Sequence, residues 1–238
     1  MSQRITYQQE LQALHQRMIR MGSAVEEAIH MAILSLIDID VEMAKKVIAK
    51  DDEIDDFERS ITQDCIMLIA RQQPVAKDLR EITSDMKLIT DLERMGDHAE
   101  DIAKHVLNIS RSEKKITIPY DVIQLSNQTK AMIHAALDAY VSRDLEQAKS
   151  VILMDSKIDK LYQNMKKYLK KQMRLDPENV DPLVELLLIS KHLERIGDHA
   201  ENVAEWIVYY IEGEYATSSE IKKEIKQERK KQEQADQE

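Results

Sequence analysis

LERMGDHAEDIA, residues Leu92–Ala103, returns as LERIGDHAENVA at Leu193–Ala204. Nine of the twelve positions are identical, and the offset is 101 residues. Solenoid repeats have periods up to roughly 50 residues, so this offset marks duplication of a domain-sized unit. Leu92, Met95, Ala99 and Ala103 recur at steps of three and four, the period of a helix with one apolar face. The twin stripe is Leu193, Ile196 and Ala200.

Working outward, the same plan extends over most of the chain. AKKVIAKDDEIDDF from Ala44 matches AKSVILMDSKIDKL from Ala148. Helical periodicity predicts helices from about Arg4 to Ile37, Val41 to Ala70 and Val75 to Ser110. The second half repeats them from about Val122 to Val141, Leu145 to Gln172 and Leu183 to Ile211. Asp40 and Asp144 are expected helix N-caps, and Gly213 a C-terminal cap. Gln72-Gln73-Pro74 breaks the first half, because proline removes a donor and biases its predecessor away from helix. Asp176-Pro177 and Asp181-Pro182 are expected to bracket the matching loop.

The fold class expected is all-α: two tandem pseudo-repeated three-helix bundles, six long antiparallel helices in all. The boundaries are 1–112 for the first bundle and 113–215 for the second, with Arg111–Pro119 as linker. Residues 216–238 are Lys/Glu/Gln-rich and are expected to form a frayed helix or to be disordered. Composition agrees with bundles: four Gly, four Pro, 43% hydrophobic and 33% charged residues in 238. With 4% aromatics the core must be aliphatic and Met-filled.

The same totals exclude several function classes. A net charge of −10 argues against non-specific nucleic-acid binding, which needs a basic face. One cysteine leaves no internal disulfide framework and suits a reducing compartment. No run of 18 apolar residues is present to span a membrane, and MSQRITYQQELQALHQ carries no signal-peptide h-region, so a cytoplasmic location is expected.

The carboxylates hold the chemistry. Glu93 and Asp97 lie four apart on one helix face, and Glu100 continues it; the twin set is Glu194, Asp198 and Glu201. Like charges at this spacing repel by roughly 0.2–0.5 kcal/mol per pair. Lys104 offsets this in the first half, but its counterpart is Glu205. On the preceding helix, Asp51 and Asp55 repeat the spacing, and Asp51 falls within the stripe of Val47, Ile54 and Ile61. Asp155 and Asp159 do the same amid Val151, Ile158 and Met165. A carboxylate in an apolar stripe must be paired, protonated or bound to a cation. Arg94 and Arg195 are partners for a structural salt bridge. Four convergent carboxylates per half equally suit Mg, Mn, Ca or Fe, which take oxygen ligands. Gly96 and Gly197 sit mid-helix, where each costs about 1 kcal/mol relative to alanine, and are expected to let the two acid-bearing helices approach.

His98 and His199 point off the Glu/Asp face and are expected to be surface or locally hydrogen-bonded groups, with support of the ligands as a second role. Glu27-x-x-His30 matches half of a ferritin-like di-iron pattern, but its repeat has Ala131 in place of the Glu, so oxygen chemistry is discounted. Cys65 lies in the apolar stripe as a core residue. No Gly-rich phosphate loop or Ser/His/Asp set is present.

The doubled LERxGDHA, the acid-x-x-x-Asp pairs and the six-helix duplicated plan resemble the PhoU family of phosphate-transport regulators, from about Leu11 to Gly213. Shared smaller cues are RMGSAVEEAI from Arg20, IARQQPVAKDLR from Ile69 and IVYYIEGE from Ile207. The resemblance implies a cytoplasmic adaptor and not an enzyme. Its implied partners are the ATPase subunit of the phosphate ABC transporter and the phosphate-sensing histidine kinase, with a homodimer as a further expectation. The implied role is negative regulation of phosphate uptake and of the starvation response. An accessory regulator of another phosphate carrier is the alternative, with a carboxylate-bridged metal enzyme or store behind it. The resemblance also implies iron or zinc clusters, with Mg or Mn open. One would use Asp51, Asp55, Glu93 and Asp97, with Glu100 or Asp101. The other would use Asp155, Asp159, Glu194 and Asp198, with Glu201. Asn202 replaces Asp101, which sets equal occupancy of the two in doubt.

Overall fold

A computed structural model describes residues 2–113 and 116–235. Helices α1 (Ser2–Asp38), α2 (Val41–Gln72) and α3 (Lys77–Ser110) pack on one another. Helices α4 (Tyr120–Ser142), α5 (Leu145–Leu175) and α6 (Val180–Glu212) do likewise, and α7 (Ser218–Ala235) follows. The two sets meet chiefly along α3 and α6, with α1 against α4. Among the described residues there is no strand. Lys114 and Lys115 of the expected linker lie outside the described residues.

The caps act where the sequence places them. The Asp40 carboxylate accepts the N–H groups of Glu42 and Met43 at 2.9 and 3.0 Å, and Asp144 accepts that of Gln147 at 3.1 Å. Each satisfies donors that the first helical turn leaves without partners. Gly213 closes α6 at φ 89°, its N–H bonded to the Tyr209 carbonyl at 2.9 Å. One expectation shifts: Pro182 lies inside the first turn of α6, not in a loop before it. Proline is tolerated there because that turn's N–H groups have no carbonyl to reach.

The core is aliphatic and thioether, as composition requires. Met18, Met21, Ile29, Ile61, Ile89, Met95 and Ile102 are fully buried, each worth roughly 1.5–3 kcal/mol relative to exposure. Between the halves polar groups join the apolar packing. The Tyr140 hydroxyl donates to Asp85 at 3.0 Å and lies 3.2 Å from His15 Nδ1. Arg143 pairs with Glu81 beside them.

The C-terminal segment takes the helical one of its two expected forms, but its start is docked and not frayed. Residues 218–235 are helical, and the first turns of α7 are docked. Ile221 is 1% exposed and Ile225 packs beside it. Thr217 and Glu220 exchange hydrogen bonds across the first turn: Glu220 accepts the Thr217 N–H at 2.9 Å, and Thr217 Oγ1 accepts the Glu220 N–H at 3.4 Å. Glu205 of α6 accepts the Ser218 N–H and the Tyr215 hydroxyl, the latter at 3.1 Å. Glu205 is therefore the anchor of α7, while its charge still adds to the rise of the Glu201 carboxyl. Residues 236–238 lie outside the described residues.

Candidate metal centres

Helices α2 and α3 cross closely where their acids lie. A Cβ at Gly96 would stand 3.0 Å from two carbons of Ile54, and one at Gly197 would meet Ile158 at 3.0 and 3.2 Å. The two glycines thus make room for the isoleucine that directly precedes Asp55 or Asp159. This contact sets the acid pairs of neighbouring helices face to face.

Oxygen atoms of Asp51, Asp55 and Asp97 lie within 4.8 Å of one another, and so do those of Asp155, Asp159 and Asp198. Glu93 and Glu194 flank these trios, close enough that the Glu93 carboxyl is raised by burial and then by Asp97. Burial, then the charges of Glu100, Asp97 and Asp55, push Asp51 up to about 6. Burial, then Glu194 and Asp155, push Asp198 up to about 6. Mutual repulsion between carboxylates held this closely disfavours their ionised forms. A cation among them would relieve it. The all-oxygen donor sets fit a hard cation such as Mg, Mn or ferric iron better than zinc.

The chain's own cations neutralise the two clusters differently. At the first, Arg94 pairs with Asp97 at 3.0 Å and with Glu93 at 3.5 Å, Arg59 with Asp55 at 3.6 Å, and Lys104 with Glu100. At the second, Lys191 pairs with Glu194, and Lys222 of α7 reaches Asp155 at 3.2 Å and Glu201 at 2.6 Å. Lys222 stands in for the lysine that α6 lacks opposite Lys104. Arg195, a candidate partner on sequence grounds, is exposed.

Two expected members turn elsewhere. The Asp101 carboxylate faces His192 at 3.6 Å and His98 at 4.0 Å, across the α3/α6 seam. The Asn202 amide donates to Asp91 at 3.0 Å on the same seam. Their direction follows from helical phase: each stands one turn beyond its histidine, on the flank that meets the other half. His98 is buried, correcting its reading as a surface group, and burial, then His192 and His199, lower it to about 4. Sequence reasoning missed Lys222. The signals were present: Thr217-x-x-Glu220 is a helix-start pattern, and Ile221 and Ile225 are an apolar pair one turn apart. The Cys65 thiol is pushed up to about 12 by burial, in keeping with its core position.

Taken together, a duplicated pair of three-helix bundles with a carboxylate trio on equivalent helix pairs defines an all-α binding protein. A family model described as the PhoU domain matches it twice, at residues 18–106 and 122–207. The chain belongs to the PhoU family, a family of accessory regulatory proteins and not of enzymes. It is 42% identical over 208 residues to a phosphate-specific transport system accessory protein PhoU homolog of Clostridium acetobutylicum, spanning 87% of this chain and 94% of that one. It is 31% identical to the Escherichia coli K12 accessory protein PhoU, over 86% of this chain and 85% of that protein. The crystal structure of PhoU from Pseudomonas aeruginosa superposes with a TM-score of 0.85 at 34% identity, covering 87% of this chain and all of that one. The phosphate transport system regulatory protein PhoU of Streptococcus pneumoniae does so at 0.82 and 33%, covering 88% and 99%.

Proposed function

We propose that the protein is a cytoplasmic accessory regulator of phosphate transport. It reads the state of a phosphate transporter's ATPase subunit and passes it to a sensor kinase, restraining uptake and the starvation response when phosphate is plentiful. The observation that carries this reading is the family match in both halves, each with its acid trio at the equivalent place. Relatives named as transport-system accessory proteins span most of the chain. Among the described residues no helix is long and apolar enough to cross a membrane.

The carboxylate trios are the proposed metal centres. Asp51, Asp55 and Asp97, with Glu93 alongside, would hold the first cation, and Asp155, Asp159 and Asp198, with Glu194, the second. A bound cation supplies positive charge to an anionic face and an acceptor for an anionic group such as phosphate. The chain's own cations stand at both trios, Arg94 and Arg59 at the first and Lys222 at the second, so an incoming metal displaces a side chain at either. Deletion of the gene should derepress phosphate-starvation genes in phosphate-rich medium, and the ATPase subunit should co-purify with the tagged protein. Unchanged expression together with no transporter subunit recovered would sink the reading. Elemental analysis of purified protein should show metal that falls by more than half in an Asp97→Ala, Asp198→Ala double variant. Equal metal content in the two proteins would remove the metal centres from it.

A further inference from the structure

The seam between the halves carries a row of four histidines that no part of the acidic clusters uses. Ring centroids run His105 to His192 at 5.3 Å, His192 to His98 at 5.2 Å, and His98 to His199 at 5.6 Å. The pseudo-twofold that relates the halves, with its offset of 101 residues, maps His98 on His199, Asp101 on Asn202 and Asp91 on His192. It therefore produces two equivalent triads across α3 and α6. One is His98, Asp101 and His192. The other is His199, Asn202 and Asp91.

The two triads behave differently. The second is closed by direct hydrogen bonds, His199 Nδ1 to Asp91 at 2.8 Å and Asn202 to the same oxygen at 3.0 Å. In the first, His98 Nδ1 and His192 Nδ1 face each other at 3.2 Å. Both also face one oxygen of Asp101, at 4.0 and 3.6 Å. Those last two separations are too long for hydrogen bonds. With the 3.2 Å histidine pair they come near the spacing of three ligands around one ion, roughly 3.3 Å in a tetrahedral zinc site, and small side-chain shifts close the difference. The point equidistant from the three atoms lies about 2.1 Å from each, the length of a zinc–nitrogen bond.

We infer that His98, Asp101 and His192 form a binding site for a divalent d-block cation, zinc above all, that clips α3 to α6. Two imidazoles and one carboxylate select zinc, nickel, copper or ferrous iron over magnesium and calcium, which prefer all-oxygen sets. His98 and Asp101 are one turn apart on α3, so that helix presents both on one flank. His192 closes the set from the other half. His105, held by Glu185 at 2.6 Å, packs against the His192 ring and fixes its position. The site shares no donor with the carboxylate trios and does not depend on their binding metal.

The test is a titration of the chelator-stripped full chain with Co(II), then Zn(II), in excess Mg(II) to fill oxygen-only sites. The wild type should bind one Co(II) with the strong visible bands of a tetrahedral, nitrogen-containing site, and Zn(II) should displace it. His98→Gln, His192→Gln and Asp101→Asn should each weaken Zn(II) by at least about tenfold while melting like the wild type when metal-free. An Asp91→His, Asn202→Asp double variant rebuilds the set at the pseudo-symmetric position and should bind a second equivalent. Should a loss variant fail to fold, this gain variant decides, and an unchanged stoichiometry counts against the site. Octahedral bands with no tetrahedral component in the wild type, or a His192→Gln titration that overlays it, overturn the inference.

Discussion

Asp85 shows what one side chain buried between the halves costs. It is 4% exposed, and burial pushes its carboxyl up to about 7, with Glu81 adding to the rise and Tyr140 and Arg143 opposing it. Its proton is therefore held more tightly in the folded chain than in the unfolded one. Stability from this group is complete below about pH 4 and is lost as pH rises through 7, by up to about 4 kcal/mol. Asp85→Asn keeps an acceptor for the Tyr140 hydroxyl and removes that loss. Urea denaturation across pH 4 to 8 should show the variant gaining on the wild type from pH 4 to about 7 and then holding a constant lead. Parallel curves would refute the assignment. His15 and the Cys65 thiol also face this group, but His15 is lowered by burial and the thiol stays protonated throughout the range. In the sequence Asp85 stands at helical spacing from Ile82, Leu88 and Leu92, within an apolar stripe. It could not reveal Tyr140, 55 residues away, as the partner.

At the scale of the element, the helices were legible and the last of them was not. Periodicity and caps found six helices to within a few residues because each buries one continuous stripe. The acid pairs on α2 were legible for the same reason: Asp51 breaks a stripe that otherwise reads as core. The docking of helix α7 escaped because two isoleucines in a run of lysines and glutamates offer little apolar surface, and because it depends on Glu205 in another helix. Its Lys222 should compete with metal at the second trio. In chelator-stripped protein titrated with Mn(II), Lys222→Gln should raise affinity at that trio several-fold and leave the first unchanged. Truncation after Ala216 should give the same change, since it removes the lysine with its helix. Identical titrations in all three proteins would show that Lys222 does not guard the cluster.

For the whole molecule, the duplication predicted two bundles but not how deeply each depends on the other. Helix α3 buries residues on more than one flank. Leu88 and Leu92 join Met18, Leu137 and Val203 around a cleft of ≈ 120 Å³ between the halves. Residues 1–112 expressed alone would expose that apolar flank, together with Asp85 and His98. Exposed apolar patches of this kind drive association. Light scattering after size exclusion should find the fragment self-associated or aggregated, while residues 1–215 remain defined. A monodisperse, cooperatively melting fragment would contradict this. The contacts responsible lie about a hundred residues apart in the chain, beyond the reach of any local pattern.

The lysine that α7 inserts at only one of the two acid clusters has a consequence for valence. Two like faces on one molecule would accept the same partner twice and so crosslink transporters into chains. The two faces here are closed by different means, arginines of α2 and α3 at the first and the α7 lysine at the second, so the molecule has unlike ends.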